Sequence, residues 1–343
     1  MKKFHPDFRL NGFSLTQNNI YCVAYDLIKE GQEHEKKAGL FFLEWFNESP
    51  DITLKTSGTT GAPKEITVAK QAMIHSALAT GEFFDLYPKD KILCCMPVNF
   101  IAGKMMFVRA FVLGLELDFV APSLAPLLQT EKEYDFCAMT PMQVENSLEE
   151  LHRIKKLIIG GAKVSPDLEE KLQALSVISY ETYASTETLS HIAARKTGKK
   201  YFELLPDISI TTDSRGCLII DAPRISPEKI TTNDLVEIKS EKEFIWLGRV
   251  DNVVNSGGIK LFPESIENKL FGKITAPFFV GGIPDSVLGE KLVLVIEAEK
   301  YELPATVFEE LEKYEKPKEV FFIPKFPLTE SGKIKRNEIL SGL

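Results

Sequence analysis

Short apolar or β-branched runs alternate with longer amphipathic stretches through the first half of the chain. The runs lie at residues 52–56, 92–96, 118–120, 136–139, 157–159 and 177–183. Between them, residues 69–84 and 165–175 place apolar side chains at helical spacing. The second stretch opens with Ser165 as a cap and Pro166 in the first turn. Strands that alternate with helices in this way predict an α/β domain with a largely parallel sheet.

The pattern changes after residue 250. A glycine-rich turn is followed by a predicted helix over residues 263–270 and by predicted strands over 278–283 and 291–298. This order of elements indicates a second, smaller α+β unit. We therefore predict a large α/β domain over residues 1–250 and a small α+β domain over residues 251–343.

Composition and charge narrow the possible functions. The 343 residues are 44% hydrophobic and 26% charged, as in a soluble globular protein of about two domains. The net charge of −8 argues against a nucleic acid or an anionic membrane as the main partner. A small molecule is therefore the expected substrate.

Cysteine spacing and terminal sequence bear on the compartment. The five cysteines show neither paired metal-ligand spacing nor the density of a disulfide scaffold. The sequence that follows Met1 lacks the apolar run of a secretory signal, and no stretch has eighteen consecutive apolar residues. We expect a cytoplasmic protein that does not insert into a membrane. The sequence is compatible with a homodimer. The charged run at residues 30–37 indicates a solvated helix end or loop.

A turn rich in glycine, serine and threonine follows the first predicted strand. It reads Thr56-Ser57-Gly58-Thr59-Thr60-Gly61-Ala62-Pro63-Lys64. The N–H groups and hydroxyls of such a turn can surround phosphate oxygens, and Lys64 adds a cation. Two residues separate Lys64 from Gly61, and the β-prone residues 65–68 follow instead of a helix, so this is not a Walker motif. We expect a phosphate-binding loop within a β-hairpin, with an ordinary flexible turn as the alternative.

These nine residues resemble the T-S-G-T-T-G-x-P-K signature of the acyl-adenylate-forming superfamily. Further motifs follow in the order of that superfamily, so the resemblance covers residues 52–336. It implies an acyl-CoA synthetase-like fold with a mobile C-terminal domain, and the use of ATP, Mg²⁺ and coenzyme A. The loop residues implied to bind ATP are Thr56, Ser57, Gly58, Thr59, Thr60, Gly61 and Lys64.

The segment at residues 183–187 looks like the superfamily's Y-G-x-T-E motif. The resemblance places Tyr183 against adenine, Thr186 at a phosphate and Glu187 on magnesium. One carboxylate suffices for such an ion, because Mg²⁺ keeps most of its water and takes its other ligands from the substrate phosphates. Ala184 stands where the superfamily has glycine. Outside this context, Thr186 and Glu187 would more often form a helix cap.

Three other segments complete the implied nucleotide site. Asp234, in Thr232-Asn233-Asp234, matches the superfamily's acceptor for the ribose hydroxyls, although Asn233 replaces a glycine. Arg249 is implied to contact the ribose and Asp251 to be the hinge, with an interdomain linker as the alternative. The resemblance also implies that Gly160, Gly161 and Ala162, which follow the predicted strand at 157–159, border the adenine. A plain strand-to-helix turn is the alternative outside this context.

The last motif lies near the C-terminus. Residues 327–333 match P-x-T-x-S-G-K, which in the superfamily delivers a catalytic lysine from the C-terminal domain. Lys333 is therefore the implied catalytic lysine. A solvated lysine in a turn is the alternative reading outside this context.

The nature of the acid is indicated by residues 96–104 and the later Arg109. They are similar to the P-L-F-H-x-S-G segment of the o-succinylbenzoate-CoA ligase family of menaquinone synthesis, with Phe100 at the histidine position. This resemblance implies an ATP-dependent acid-CoA ligase that acts through an acyl-adenylate. Another aryl or acyl acid-CoA ligase, an acid-carrier-protein ligase and a non-catalytic adenylate-binding homologue remain alternatives.

A diacid such as o-succinylbenzoate needs an anchor for its unreactive carboxylate. His191 and Arg195 are four residues apart, so a helix over residues 188–195 would put both on one face beyond Glu187. The alternative is that His191 and Arg195 have hydrogen-bond partners within the protein or are solvated. The predicted substrate-binding residues are Phe100, Gly103, Lys104, His191 and Arg195.

Overall fold

A computed structural model describes residues 4–16, 19–55, 65–185, 187–328 and 334–343. In the first half of the chain, strands alternate with helices. The strands are β1 (Arg9–Leu10), β2 (Phe13–Ser14), β3 (Asp51–Lys55), β4 (Glu65–Ala69), β5 (Lys91–Cys94), β6 (Glu116–Phe119), β7 (Tyr134–Met139), β8 (Ile154–Ile159) and β9 (Ile178–Ala184). The helices are α1 (Ile20–Glu30), α2 (Glu33–Phe46), α3 (Lys70–Phe83), α4 (Ile101–Leu113), α5 (Pro141–Glu145) and α6 (Pro166–Gln173).

The second half begins with strands alone and then forms a smaller unit. The strands are β10 (His191–Lys196), β11 (Phe202–Leu204), β12 (Ser209–Thr212), β13 (Cys217–Asp221), β14 (Ile230–Ile238) and β15 (Glu243–Arg249). The smaller unit contains β16 (Val254–Ser256), β17 (Ile259–Leu261), α7 (Pro263–Leu270), β18 (Phe278–Asp285), β19 (Gly289–Glu297), β20 (Glu319–Ile323) and α8 (Arg336–Leu340).

Most of the strands before residue 250 join one large sheet, in the order β12-β13-β14-β15-β11-β10-β9-β8-β7-β5-β6-β1-β2. From β1 through β6, β5, β7 and β8 to β9 neighbouring strands are parallel, so their carboxyl ends meet at one edge. The predicted α/β class is confirmed. From β9 to β12 the strands are antiparallel, an extension that the sequence pattern did not predict.

Two local predictions are confirmed. Strands β3 and β4 pair antiparallel with Lys55 opposite Glu65, so residues 56–64 link the strands of a hairpin. Ser165 caps α6, because its side chain accepts a hydrogen bond of 3.1 Å from the N–H of Leu168.

The helix that would place His191 and Arg195 on one face does not form, because both residues lie in β10. This strand pairs with β9 on one side and β11 on the other, and it buries Ile192, Ala193 and Ala194. Pairing on both edges outweighs the weak local helix preference of the segment.

Helix α4 is the centre of the large core. Residues 103–111 along it are all buried, and it ends at Gly114, whose φ of +75° is the left-handed conformation of a helix end. Gly103 lets the helix start close to the preceding turn, because a Cβ there would lie 2.4 Å from the carbonyl oxygen of Pro97.

The small unit has its own sheet, in the order β17-β16-β19-β18, with β20 parallel to β19. Helix α7 covers it over the residues predicted from the sequence. No helix in the described ranges has the length and apolar character needed to cross a bilayer.

Candidate active site

Nine of the predicted site residues lie outside the described residues. They are Thr56, Ser57, Gly58, Thr59, Thr60, Gly61, Lys64, Thr186 and Lys333. Strands β3 and β4 flank residues 56–64. An isolated β-bridge between Leu328 and Ile334 flanks the segment that contains Lys333.

Asp234 is the centre of a hydrogen-bonded cluster from three strands. The hydroxyl of Tyr183 donates to Oδ2 of Asp234 at 2.6 Å, and the indole N–H of Trp246 donates to Oδ1 at 3.1 Å. Three strands separate β9 from β14 in the sheet order, so the sheet curls to bring these groups together. The cluster holds the Asp234 carboxylate at a fixed position.

The environment of Tyr183 keeps it a donor. Its ring packs edge-on against Phe202 and Phe244, and burial followed by the nearby Asp234 raises the pKa of its hydroxyl well above the usual value. Trp246 was not among the residues predicted from the sequence. One indication of its importance is present in the sequence. Trp246 is one of two tryptophans in the chain, and it lies three residues before Arg249, which is a predicted site residue.

Arg249 and Asp251 pair with each other at the end of the large sheet. The Arg249 guanidinium lies 2.8 Å from Oδ2 of Asp251, and both side chains are about half exposed. Arg249 stands opposite Asp234 in the β14–β15 ladder, so the predicted ribose contacts are neighbours. A pair this exposed stabilises little and leaves Arg249 free to exchange partners.

The turn after β8 carries Gly160, Gly161 and Ala162 at the carboxyl edge of the parallel strands. Gly161 has a φ of +86°, and a Cβ on Gly160 would lie 2.7 Å from the hydroxyl of Thr182 on β9. The backbone of this turn is therefore packed closely against the strand that leads to Tyr183.

Glu187 is exposed and forms no hydrogen bond or ion pair with another described residue. Across the described ranges no group of three or more metal-ligating side chains occurs. A single free carboxylate fits an ion that takes its other ligands from water and phosphate, as Mg²⁺ does, and does not fit a metal held entirely by protein.

Two of the predicted substrate-binding cations are already paired. Nζ of Lys104 lies 2.7 Å from Oε2 of Glu44 and above the ring of Phe41, which joins α4 to α2. Arg195 lies 2.9 Å from Glu169 and 2.7 Å from Glu181. Both cations are neutralised inside the fold.

The other substrate-binding candidates divide between surface and core. Phe100 is 45% exposed at the start of α4, whereas Gly103 serves the close packing described above. His191 is buried, and burial followed by the positive charge of Arg109 holds its pKa well below the usual value. His191 is therefore a neutral hydrogen-bonding group.

Arg109 is a buried cation without a carboxylate partner in the part of the chain that the structure describes. Its guanidinium donates to Ser190 Oγ at 2.9 Å, to Thr80 Oγ1 at 3.4 Å and to His191 Nδ1 at 3.4 Å. Its side chain is almost fully enclosed, and burial lowers its pKa to about 10. The sequence signal was an arginine in a helix whose only other charged residue is Lys104.

Comparison with known proteins gives two family matches along the chain. The model of the AMP-binding enzyme family matches residues 49–222, and that of the AMP-binding enzyme C-terminal domain matches residues 276–333. A 2-succinylbenzoate–CoA ligase of Listeria monocytogenes (serovar 1/2a) is 28% identical, over 83% of this chain and 68% of its own. One from Staphylococcus aureus (strain MSSA476) is 25% identical, over 98% and 77%.

Solved structures are also similar. An acyl-CoA synthetase (AMP-forming)/AMP-acid ligase II-like protein from Dyadobacter fermentans is 35% identical, with 91% of this chain and 95% of that chain covered and a TM-score of 0.64. An o-succinylbenzoate coenzyme A synthetase from Bacillus subtilis, solved with ATP and magnesium, is 20% identical over 84% and 69%, with a TM-score of 0.73. At that identity the likeness concerns the fold.

Proposed function

Because the chain belongs to the family of AMP-binding enzymes, we propose that it is an ATP-dependent acid–CoA ligase and that its acid is o-succinylbenzoate. The reaction has two halves. The acid's carboxylate attacks the α-phosphorus of ATP and pyrophosphate leaves, and then the thiol of coenzyme A attacks the acyl carbon and AMP leaves.

The residues of the Asp234 cluster bind the nucleotide in this proposal. Asp234, held by Tyr183 and Trp246, accepts hydrogen bonds from the ribose hydroxyls, and Arg249 leaves Asp251 to contact the same sugar. The turn at Gly160 and Gly161 brings backbone close to the adenine. Glu187 would hold Mg²⁺, whose charge would stabilise the departing pyrophosphate. The loop from Thr56 to Lys64 and the pair Thr186 and Lys333 act on the phosphates.

The single observation that carries the choice of acid is the environment of Arg109. A guanidinium enclosed without a counter-charge is costly, whereas a carboxylate that enters beside it removes the cost. o-Succinylbenzoate has a second carboxylate that does not react. Arg109, with Ser190 and neutral His191 beside it, is the anchor for this group. A monocarboxylic acid would leave Arg109 unpaired.

We also assign the mobile unit to residues 251–343, with Asp251 as the hinge. The large sheet ends at Arg249 and the small sheet starts at Val254, so few residues connect them. Rotation about this link would bring Lys333 to the adenylate site and remove it again. A cytoplasmic location and a homodimer remain predictions.

Acid-dependent exchange of labelled pyrophosphate into ATP tests the proposal. We expect exchange with o-succinylbenzoate, much weaker exchange with benzoate or hexanoate, and a thioester product only when coenzyme A is present. Strong exchange with a monocarboxylic acid alone would identify a different acid ligase. Absence of exchange with every acid would identify a non-catalytic adenylate-binding protein.

A further inference from the structure

Helix α7 of the small unit packs on β15 of the large sheet. Glu264, in the first turn of α7, lies against Gly248, where a Cβ would be 2.5 Å from its Oε2 atom. Only a residue without a side chain leaves room for this contact. Glu264 is 8% exposed, and its Oε1 accepts a hydrogen bond of 2.5 Å from the side chain of Asn252. The two units therefore touch directly beside the link that joins them.

The buried carboxylate of Glu264 limits the strength of this contact. Its Oε2 atom is buried and has no hydrogen-bond partner among the described residues. Such an oxygen lowers the stability of the docked arrangement, because water hydrates it when the two units separate. Other contacts between the units therefore help to decide whether α7 stays docked on β15.

A second contact lies one turn further along α7. Asn268 stands four residues after Glu264 on the same face of the helix, and its Oδ1 accepts a hydrogen bond of 2.5 Å from Nζ of Lys163. Lys163 directly follows the turn at residues 160–162 in the large domain. This hydrogen bond therefore joins the small unit to the segment that borders the adenine in the proposed function.

Lys163 also touches the cluster around Asp234. Its ammonium lies 5.4 Å from the centroid of the Trp246 ring, a distance at which an indole attracts a cation. The indole N–H of Trp246 donates to Asp234 at 3.1 Å. A continuous series of contacts thus runs from Asn268 through Lys163 and Trp246 to Asp234. It connects helix α7 with the carboxylate that holds the ribose in the proposed function.

We propose that Lys163 couples docking of the small unit to nucleotide binding. While α7 is docked, Asn268 holds Lys163 over Trp246, and this contact keeps the indole N–H directed at Asp234. When α7 leaves β15, Lys163 loses Asn268, so Asp234 holds the nucleotide less tightly. Coupling is reciprocal, and a bound nucleotide stabilises the docked arrangement to the same extent. Lys163 is thus a positioning residue, and the inference rests on the proposed function only in placing a nucleotide at Asp234.

Binding of AMP tests the coupling without any acid or coenzyme A. Asn268→Ala removes the contact from the side of the small unit and should raise the Kd for AMP roughly fivefold in calorimetry. Asn337→Ala is the matched control, because this exposed asparagine of α8 has no side-chain hydrogen bond to another described residue. The control should bind AMP as wild type does.

A double variant shows whether Asn268 acts through Lys163. Lys163→Met should weaken AMP binding at least as much as Asn268→Ala, and the two substitutions together should weaken it no further. Multiplied effects would show that the residues act separately and would overturn the proposal, as would an unchanged Kd in Asn268→Ala. A wild type that binds no AMP would refute the nucleotide site itself, and the coupling with it.

Energy transfer between two dyes measures the reciprocal effect. Cys22 is exposed on α1 and the other cysteines are buried, while Val287 is 87% exposed in the turn before β19, so Cys22 and Val287→Cys can carry the dyes. Saturating AMP should raise the ratio of docked to undocked protein, and this rise should be about fivefold smaller when Asn268→Ala is added. Equal responses to AMP would overturn the coupling even if o-succinylbenzoate is activated.

Discussion

One end of β10 carries Arg195 and the other carries His191, which touches Arg109, and the surroundings of these two arginines differ in charge. At one end, Arg195 forms ion pairs with Glu169 and Glu181. At the other, His191 touches Arg109, whose partners are hydroxyls, a sulfur and a neutral imidazole. The paired arginine stabilises the fold, whereas the arginine without a carboxylate partner among the described residues is the one that we propose as the anchor for the acid.

Replacement of the unpaired arginine should give the largest effect on activity. Arg109→Met should lower kcat/KM for o-succinylbenzoate in pyrophosphate exchange by roughly 100-fold, because the second carboxylate loses a charged partner in a buried site. The free energy of unfolding should stay the same or rise, because an uncompensated cation is removed. Equal losses for o-succinylbenzoate and benzoate would show that Arg109 only supports the fold.

The paired arginine should give the opposite result. Arg195→Met leaves Glu169 and Glu181 without their cation, so the free energy of unfolding should fall by about 3 kcal/mol. Chemical denaturation measures this change. The KM for o-succinylbenzoate should match wild type in the protein that remains folded, and a large increase in KM would reassign Arg195 to the substrate.

At acidic pH, wild type and Arg195→Met should differ less in their free energy of unfolding. Burial favours a higher pKa for Glu169, but the hydrogen bonds from Arg195 outweigh it and hold the pKa below its usual value of 4.5. The stabilisation is therefore fully present above about pH 4.5 and is lost as the pH falls through the lower, folded-state pKa. Denaturation at several pH values should show the two proteins converging below pH 4.5. A difference independent of pH would exclude Glu169 as the source.

Replacement of Lys104 should have the smallest effect on stability and activity. Lys104 is buried like Arg109 but paired like Arg195, and its partner Glu44 is about one-third exposed, so water can solvate the carboxylate left behind. Lys104→Met should cost about 1 kcal/mol of unfolding free energy and leave the acid's KM unchanged. An increase in that KM would make Lys104 a second anchor.

Local patterns predicted much of the fold. The alternation of strands and helices up to β9, the capped start of α6 and the hairpin around residues 56–64 follow from side-chain periodicity and turn chemistry, which act over a few residues. The spacing of four residues between His191 and Arg195 puts them on one face of a helix or of a strand, so it could not decide between the two structures. The place of this segment between β9 and β11 decided the outcome.

The site was predicted in part. Motifs indicated Tyr183 and Asp234 separately, and the sequence could not show that they lie 2.6 Å apart with Trp246 beside them, because the curl of the sheet makes that contact. Arg109 was visible as an arginine in a largely apolar helix. Its importance depends on the absence of a nearby carboxylate, which is a property of the packed core.

The sequence by itself determined the family, the order of the elements and the residues available for adenylate chemistry, because motifs and periodicity are local. Only the tertiary structure decided which cations have a carboxylate partner among the described residues. Lys104 and Arg195 meet carboxylates from α2, α6 and β9. Arg109 meets none among the described residues. Charge compensation is set by distances across the fold, and a linear sequence does not contain those distances.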